Sequence, residues 1–124
     1  MSNLQEEIEN LINRKSSIDK KVPFSDLVAF AFHRVIANRL NSNPKLMEIA
    51  KRNLDKWLLT NPKVEAWLEW KRLLENESLE KILEIITLES DESQRLRSSS
   101  PFVGIITKDE RREIIKICEK ERLV

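Results

Sequence analysis

Residues 26–40 read DLVAFAFHRVIANRL, and apolar side chains occupy almost the whole circumference of the helix that this segment predicts. Five of them crowd into its first half, namely Leu27, Val28, Phe30, Ala31 and Phe32. Ser25 lies just before the segment and is of a residue type that favours the N-cap position. A helix without a wide polar face has to lie at the centre of the fold or be covered by a partner.

A shorter amphipathic helix is predicted upstream, over residues 3–14. Ser2 and Gln5 match a capping box, and apolar residues then recur at helical spacing. The connection that follows, KSSIDKKVP, is basic, and Pro23 confines the residue before it to extended conformations. Short basic runs of this kind are typical of solvated linkers.

Two prolines predict the next pair of helices. Asn43-Pro44 and Asn61-Pro62 each place a capping residue before a proline at the first helical position, where the missing N–H costs nothing. An apolar stripe at helical spacing follows each of them. We expect these two helices to form an antiparallel hairpin.

A fifth helix is predicted to end near Ser90, with Ser78 or Asn76 as its N-cap. The segment that follows contains three adjacent serines, a proline and the only glycine, all of which disfavour helix. Its apolar residues distinguish it from a flexible linker, so we expect an ordered loop over residues 93–107.

Thr107 and Glu110 match a second capping box, which predicts a last helix over residues 108–124. The sequence therefore predicts an all-α fold, a compact bundle of about six helices with an ordered irregular loop before the last helix. A chain of 124 residues fits one domain. Its parts are an N-terminal helix with its basic linker (1–22), a helical core (23–92), the loop (93–107) and the C-terminal helix (108–124).

The composition argues against several classes of protein. Lysine and arginine number 22 and aspartate and glutamate 21, interleaved along the chain, so no strong field for phosphates is evident. The N-terminal MSNLQEEIEN lacks the apolar core of a signal peptide, and no apolar run approaches the roughly 20 residues of a membrane span. One cysteine excludes an internal disulfide and suits a reducing compartment. We expect a cytoplasmic protein.

The sequence offers little catalytic apparatus. His33, the only histidine, lies among apolar residues, where a packed imidazole with one hydrogen-bond partner is more common than a ligand or a base. A phosphate-binding loop needs several glycines, and Cys118 has the helical spacing of a buried structural thiol. We therefore expect no catalytic residues, no cofactor and no metal.

Three tryptophans could stack on nucleic-acid bases, although bundle cores also contain tryptophan. Trp57 and Trp67 occupy the apolar stripes of the predicted hairpin. Trp70 is the one that we expect to be partly exposed.

The segment around the loop combines cations, hydroxyls and an aromatic side chain, a mixture that protein interfaces favour. The candidate partner-binding residues are Arg95, Arg97, Ser100, Pro101, Phe102, Gly104 and Arg111. The alternative is structural: Phe102 and Ile105 would fill the core while the arginines cap the carbonyl groups of the preceding helix.

The tail RLRSSSPFVGIITKDERREI follows a pattern of roughly L-R-x-x-S-P-F-x-G-x-L-x-x-x-E-R, with Ile106 where leucine is usual. Upstream, His33, Ala37, Leu40 and Pro44 match H-x-x-x-A-x-x-L-x-x-x-P. Together these motifs resemble small bacterial antitoxin-like or operon-partner proteins. The resemblance covers much of residues 24–112, and the first twenty residues have no counterpart in it.

The resemblance implies a non-enzymatic protein that binds and restrains a co-encoded toxin, such as a nuclease or a nucleotidyltransferase. A DNA-binding regulator is the alternative, with a helix-turn-helix between Asn43 and Trp70, although the acidic side chains of that region, including Glu48, Asp55, Glu65 and Glu69, count against it. An enzyme that uses His33 with a carboxylate ranks last. A homo-oligomer is compatible with the first two classes.

Overall fold

The computed structural model describes Leu4, Glu6, Ile8 and residues 23–123, with backbone alone for residues 121–123. Within these residues the chain forms six α-helices and no strand. The helices are α1 (Phe24–Ser42), α2 (Met47–Thr60), α3 (Glu65–Asn76), α4 (Leu79–Thr87), α5 (Asp91–Arg97) and α6 (Lys108–Leu123), and a 3-10 turn, Pro44–Leu46, joins α1 to α2. The predicted all-α class is confirmed.

The predicted first helix, its capping box and the basic linker lie outside the described residues, apart from three positions. Leu4, Glu6 and Ile8 are helical, and Ile8 is completely buried in the core. No helix in the described ranges has both the length and the apolar composition needed to cross a bilayer.

Helix α1 lies at the centre of the fold, as its composition predicts. It packs against α4, α5 and α6 and against the 3-10 turn. Its buried residues are distributed around the helix, namely Leu27, Phe30, Ala31, His33, Val35, Ile36, Ala37 and Leu40. Three other helices thus cover α1 on different sides, so it needs no partner chain to remove its apolar surface from water.

Two of the predicted helix starts are wrong. Helix α1 begins one residue before Ser25, because the carbonyl of Pro23 already accepts the backbone N–H of Asp26 at 3.0 Å and that of Leu27 at 3.1 Å. Pro62 lies in a turn, and α3 begins only at Glu65 with Val64 in the N-cap position. The proline after Asn61 therefore lies in a turn and not at the first helical position.

Two of the predicted caps are confirmed, those of Ser78 and Thr107. The Ser78 hydroxyl accepts the backbone N–H of Lys81 at 3.1 Å. At the start of α6, Thr107 Oγ1 accepts the backbone N–H of Glu110 at 3.1 Å, and Glu110 Oε1 accepts the backbone N–H of Thr107 at 2.8 Å. This reciprocal pair fixes the point at which the loop becomes helix.

The irregular loop is shorter than predicted. Residues 91–97 form α5, which begins where Ser90 Oγ accepts the backbone N–H of Ser93 at 3.1 Å. The loop therefore covers residues 98–107, which we call the motif loop. The prediction that residues 93–97 belong to the loop is wrong, because the Ser90 cap starts a helix before the three adjacent serines.

Helices α2 and α3 form the predicted antiparallel hairpin. Near the turn that joins them, the rings of Trp57 and Trp67 lie 5.4 Å apart, centroid to centroid. Farther from the turn, one groove is lined by Lys51 and Leu54 of α2 and by Leu74 and Glu75 of α3. The end of α2 thus lies beside the start of α3, and the earlier part of α2 lies beside the end of α3, so the two helices are antiparallel.

Candidate functional site

The motif loop is packed into the core and is ordered, as predicted. Pro101, Phe102, Ile105 and Ile106 are all buried within it. The Phe102 ring lies edge-on to the ring of Trp70, with 5.4 Å between centroids, and edge-on to His33 at 6.3 Å. Phe102 and Ile105 therefore fill the core, as the structural alternative for this segment expects.

The hairpin holds the motif loop through one amide side chain. Asn53 Nδ2 of α2 donates to the carbonyl oxygens of Pro101 at 2.8 Å and of Val103 at 2.9 Å. The next residue, Gly104, has a φ of 101°, which an L residue with a side chain rarely adopts. A Cβ at this position would meet only Ile49 Cγ2, at an ordinary 3.7 Å, so the backbone angle and not lack of space requires glycine.

The far end of the motif loop is tied to α1 by an ion pair. Arg39 donates to both carboxylate oxygens of Glu110, with 2.7 Å to Oε1, and also to the carbonyl of Ile105 at 3.2 Å. The Arg39 guanidinium, aided by the Thr107 backbone N–H, lowers the pKa of Glu110 to about 2. Glu110 thus joins α1, the loop and α6.

His33 links α1 to the motif loop as a neutral imidazole. Its Nδ1 donates to the Ala29 carbonyl at 2.6 Å, because a carbonyl can only accept, and Nε2 then accepts the Ser100 hydroxyl at 2.7 Å. Burial, with only 4% of the residue exposed, lowers the pKa of His33 to about 4. Both ring nitrogens are therefore engaged, one by a carbonyl and the other by a hydroxyl.

Arg97, one of the candidate partner-binding residues, is buried and caps carbonyl groups of a preceding helix, as the structural alternative for this segment expects. Its Nη1 donates to the carbonyls of Leu88 at 2.6 Å and Ile86 at 3.3 Å, at and just beyond the end of α4. The guanidinium lies 4.9 Å from the centroid of the Phe30 ring, and burial lowers its pKa. Its Nε is buried without a hydrogen-bond partner in the described part of the chain.

The other two arginines proposed for the site face solvent. Arg95 forms a bidentate ion pair with Glu69 of α3, at 2.8 and 2.9 Å, and a second pair with Glu92. These carboxylates raise the pKa of Arg95, and Arg95 in turn lowers the pKa of Glu69. The Arg111 guanidinium lies 4.8 Å from the centroid of the Phe32 ring.

The predicted partner-binding residues thus differ in exposure. Arg95, Gly104 and Arg111 are exposed, Ser100 is half-buried, and the enclosed ones are Arg97, Pro101 and Phe102. Most of the motif that carries the family resemblance therefore determines how the loop folds onto α1 and the hairpin.

The burial of the three tryptophans is the reverse of what the sequence predicts. Trp70 is the most deeply buried of the three, with no exposed surface, and its Nε1 donates to the Leu96 carbonyl at 2.9 Å. Trp57 and Trp67 are half-buried, and neither indole N–H has an acceptor within the described residues. Trp70 lies at the middle of α3, beside the loop, whereas the other two lie near the hairpin turn, where fewer elements cover them.

A surface with interface character lies where the hairpin meets the motif loop. Asn53 holds the carbonyl of Val103, and Trp57 follows Asn53 by one helical turn, so both contribute to the same side of α2. Val103 is 55% exposed, and Gly104 beside it is exposed as well. We call this surface, made by Trp57, Trp67, Val103 and Gly104, the loop face.

In the parts of the chain that the structure describes, no three His, Cys, Asp or Glu side chains are grouped so that they could hold a metal ion. Cys118 is fully buried, as its spacing predicts. The chain matches no family model, no curated protein and no solved structure.

Proposed function

We propose that this protein is a non-enzymatic, antitoxin-like accessory of the cytoplasm that binds a co-encoded toxin and restrains it. The toxin would be an enzyme such as a nuclease or a nucleotidyltransferase. The resemblance of the tail and of the α1 segment to small antitoxin-like proteins supports this class of function.

The observation that carries the proposal is the loop face. Tryptophan is enriched among the residues that contribute most to protein binding, because it offers a large apolar surface with one hydrogen-bond donor. Here two half-buried indoles in mutual contact lie beside an exposed valine on a loop that the core holds rigidly. A rigid apolar surface loses little conformational entropy on binding.

In this proposal the loop face is the surface that contacts the toxin. A toxin that docks there buries Val103 and the exposed parts of both indoles, and the indole N–H groups are available to acceptors on the toxin. Arg95 is already paired with two carboxylates, so we assign it to the structure and not to the centre of the interface.

The test is co-expression with the product of the neighbouring open reading frame. We expect the wild-type chain to co-purify with that product and to relieve the growth defect that it causes. Val103→Asp places a charge in the loop face and should weaken binding about 10-fold to 100-fold, as charges in an apolar interface centre do. Leu88→Asp is the matched control, because Leu88 is 49% exposed but lies outside the loop face.

Thermal unfolding of both variants separates binding from folding. Both positions are exposed, so each variant should unfold within a few degrees of the wild type. Equal binding by wild type and Val103→Asp would show that the loop face is not the contact surface. No co-purification and no relief of toxicity by the wild type would remove the antitoxin-like function itself.

A further inference from the structure

The opposite side of the hairpin carries a groove that the proposed function does not use. It measures about 350 Å³ and is lined by Lys51, Leu54, Asp55, Lys71, Leu74 and Glu75. Asn53, which holds the motif loop, lies about 160° around α2 from Lys51 at 100° per residue, so on α2 the groove faces away from the motif loop.

Apolar side chains continue the groove toward the hairpin turn. Leu58 lies one turn beyond Leu54, and Val64 and Leu68 precede Lys71 at helical spacing, so they share its face of α3. All three are half-buried, yet none packs against the described core. The groove therefore has an apolar end near the turn and a charged end near the body of the molecule.

The four charged residues that line the groove alternate in sign along each helix and also from one helix to the other across the groove. On the side nearer the turn, Asp55 of α2 is matched by Lys71 of α3. On the side nearer the body, Lys51 of α2 is matched by Glu75 of α3. All four are exposed, and the ion pairs of the described residues include none between the two helices of the groove.

We propose that this groove binds the same groove of a second copy of the chain, forming a four-helix bundle about a two-fold axis parallel to the hairpin. That operation places α2 of each copy over α3 of the other. Every aspartate or glutamate of one groove then faces a lysine of the other, Asp55 against Lys71 and Lys51 against Glu75. The pattern is complementary to itself, which is what an isologous interface requires.

The same two-fold rotation also buries the apolar end of the groove. Leu58 of each copy meets the strip formed by Val64 and Leu68 of the other, so the half-buried leucines become the core of the bundle. Helices of 14 and 12 residues give a face of roughly 20 Å by 20 Å, which is at the small end of protein interfaces, so we expect a weak and reversible dimer. The motif loops of both copies, held by Asn53 on the opposite side of α2, remain outside the bundle.

The test uses two charge variants of the full chain. Asp55→Lys/Glu75→Lys makes the groove wholly basic, and Lys51→Glu/Lys71→Glu makes it wholly acidic. Sedimentation velocity from about 1 µM to 1 mM should show reversible dimerisation of the wild type. Each variant alone should associate at least about 100-fold more weakly, since like charges then face each other across the interface.

Mixing the two variants in equal amounts is the decisive arm, because the basic groove and the acidic groove are complementary and should form a heterodimer. Glu113→Lys/Glu119→Lys on α6 carries the same change in net charge as the basic variant and should dimerise like the wild type. A monomeric wild type at 1 mM, variants that dimerise unchanged, or a mixture that stays monomeric would each overturn the proposal. Circular dichroism checks that every variant is folded.

Discussion

Shortening Phe102 to alanine tests whether the motif loop is part of the core. Phe102 is 1% exposed and packs edge-on against Trp70. Replacing a buried phenylalanine by alanine costs about 3–5 kcal/mol, and an edge-on aromatic pair accounts for about 1 kcal/mol of that. Since domains of this size are stabilised by about 5–15 kcal/mol in total, we expect Phe102→Ala to remove roughly a third or more of the free energy of unfolding.

Urea denaturation followed by tryptophan fluorescence and by circular dichroism measures this loss. A change of 4 kcal/mol should lower the Tm by about 10–20 °C for a chain of this length. Phe102→Leu, which preserves most of the volume, should cost less than half as much. Val103→Ala, at the exposed neighbouring position, should change the stability by less than about 0.5 kcal/mol.

Arg97→Ala gives a second measure of the same assembly, because it leaves the carbonyls of Ile86 and Leu88 without their donor. We expect it, like Phe102→Ala, to lower the Tm. If Phe102→Ala lowered the free energy of unfolding by less than 1 kcal/mol while abolishing binding of the partner proposed above, Phe102 would be an interface residue and not part of the core.

Two further predictions concern ionisable groups. The pKa of His33 is depressed to about 4 in the folded chain, so between about pH 6.5 and pH 4 the unfolded state binds one more proton and stability falls as the pH is lowered, by up to roughly 3 kcal/mol. Urea titrations across that range should show the slope in the wild type and its absence in His33→Gln, and equal slopes would contradict the assignment. Glu110→Ala removes the Arg39 pair and half of the capping box and should cost about 1–2 kcal/mol by the same assay, whereas Glu113→Ala, exposed on α6, should be nearly neutral.

The fold class and several caps could be read from the sequence because they rest on local patterns. The apolar circumference of α1 predicts its central position, and Ser78 and Thr107 cap the helices that follow them. Each of these signals involves residues within a few positions of one another. The start of α3 was missed because proline suits a turn as well as the first residue of a helix.

The candidate site depended on contacts that the sequence does not reveal. Arginine is a residue type that protein interfaces favour, and only the fold shows that the carbonyls at the end of α4 and the Phe30 ring enclose Arg97. Likewise, the helices that contain Trp57, Trp67 and Trp70 have similar patterns, and the sequence does not show which of the three indoles the motif loop covers. The loop reaches Trp70 because Asn53 and Phe102 bring it there.

The central position of α1 also has a consequence for synthesis on the ribosome. Helix α1 is complete by residue 42, but the helices that cover it, α4, α5 and α6, occur between residues 79 and 123. At about 5–20 residues per second, the nascent chain carries an uncovered apolar helix for several seconds or more. During that interval α1 is a target for chaperones and for other nascent chains, and a truncated transcript that ends before α4 would encode a peptide prone to aggregation.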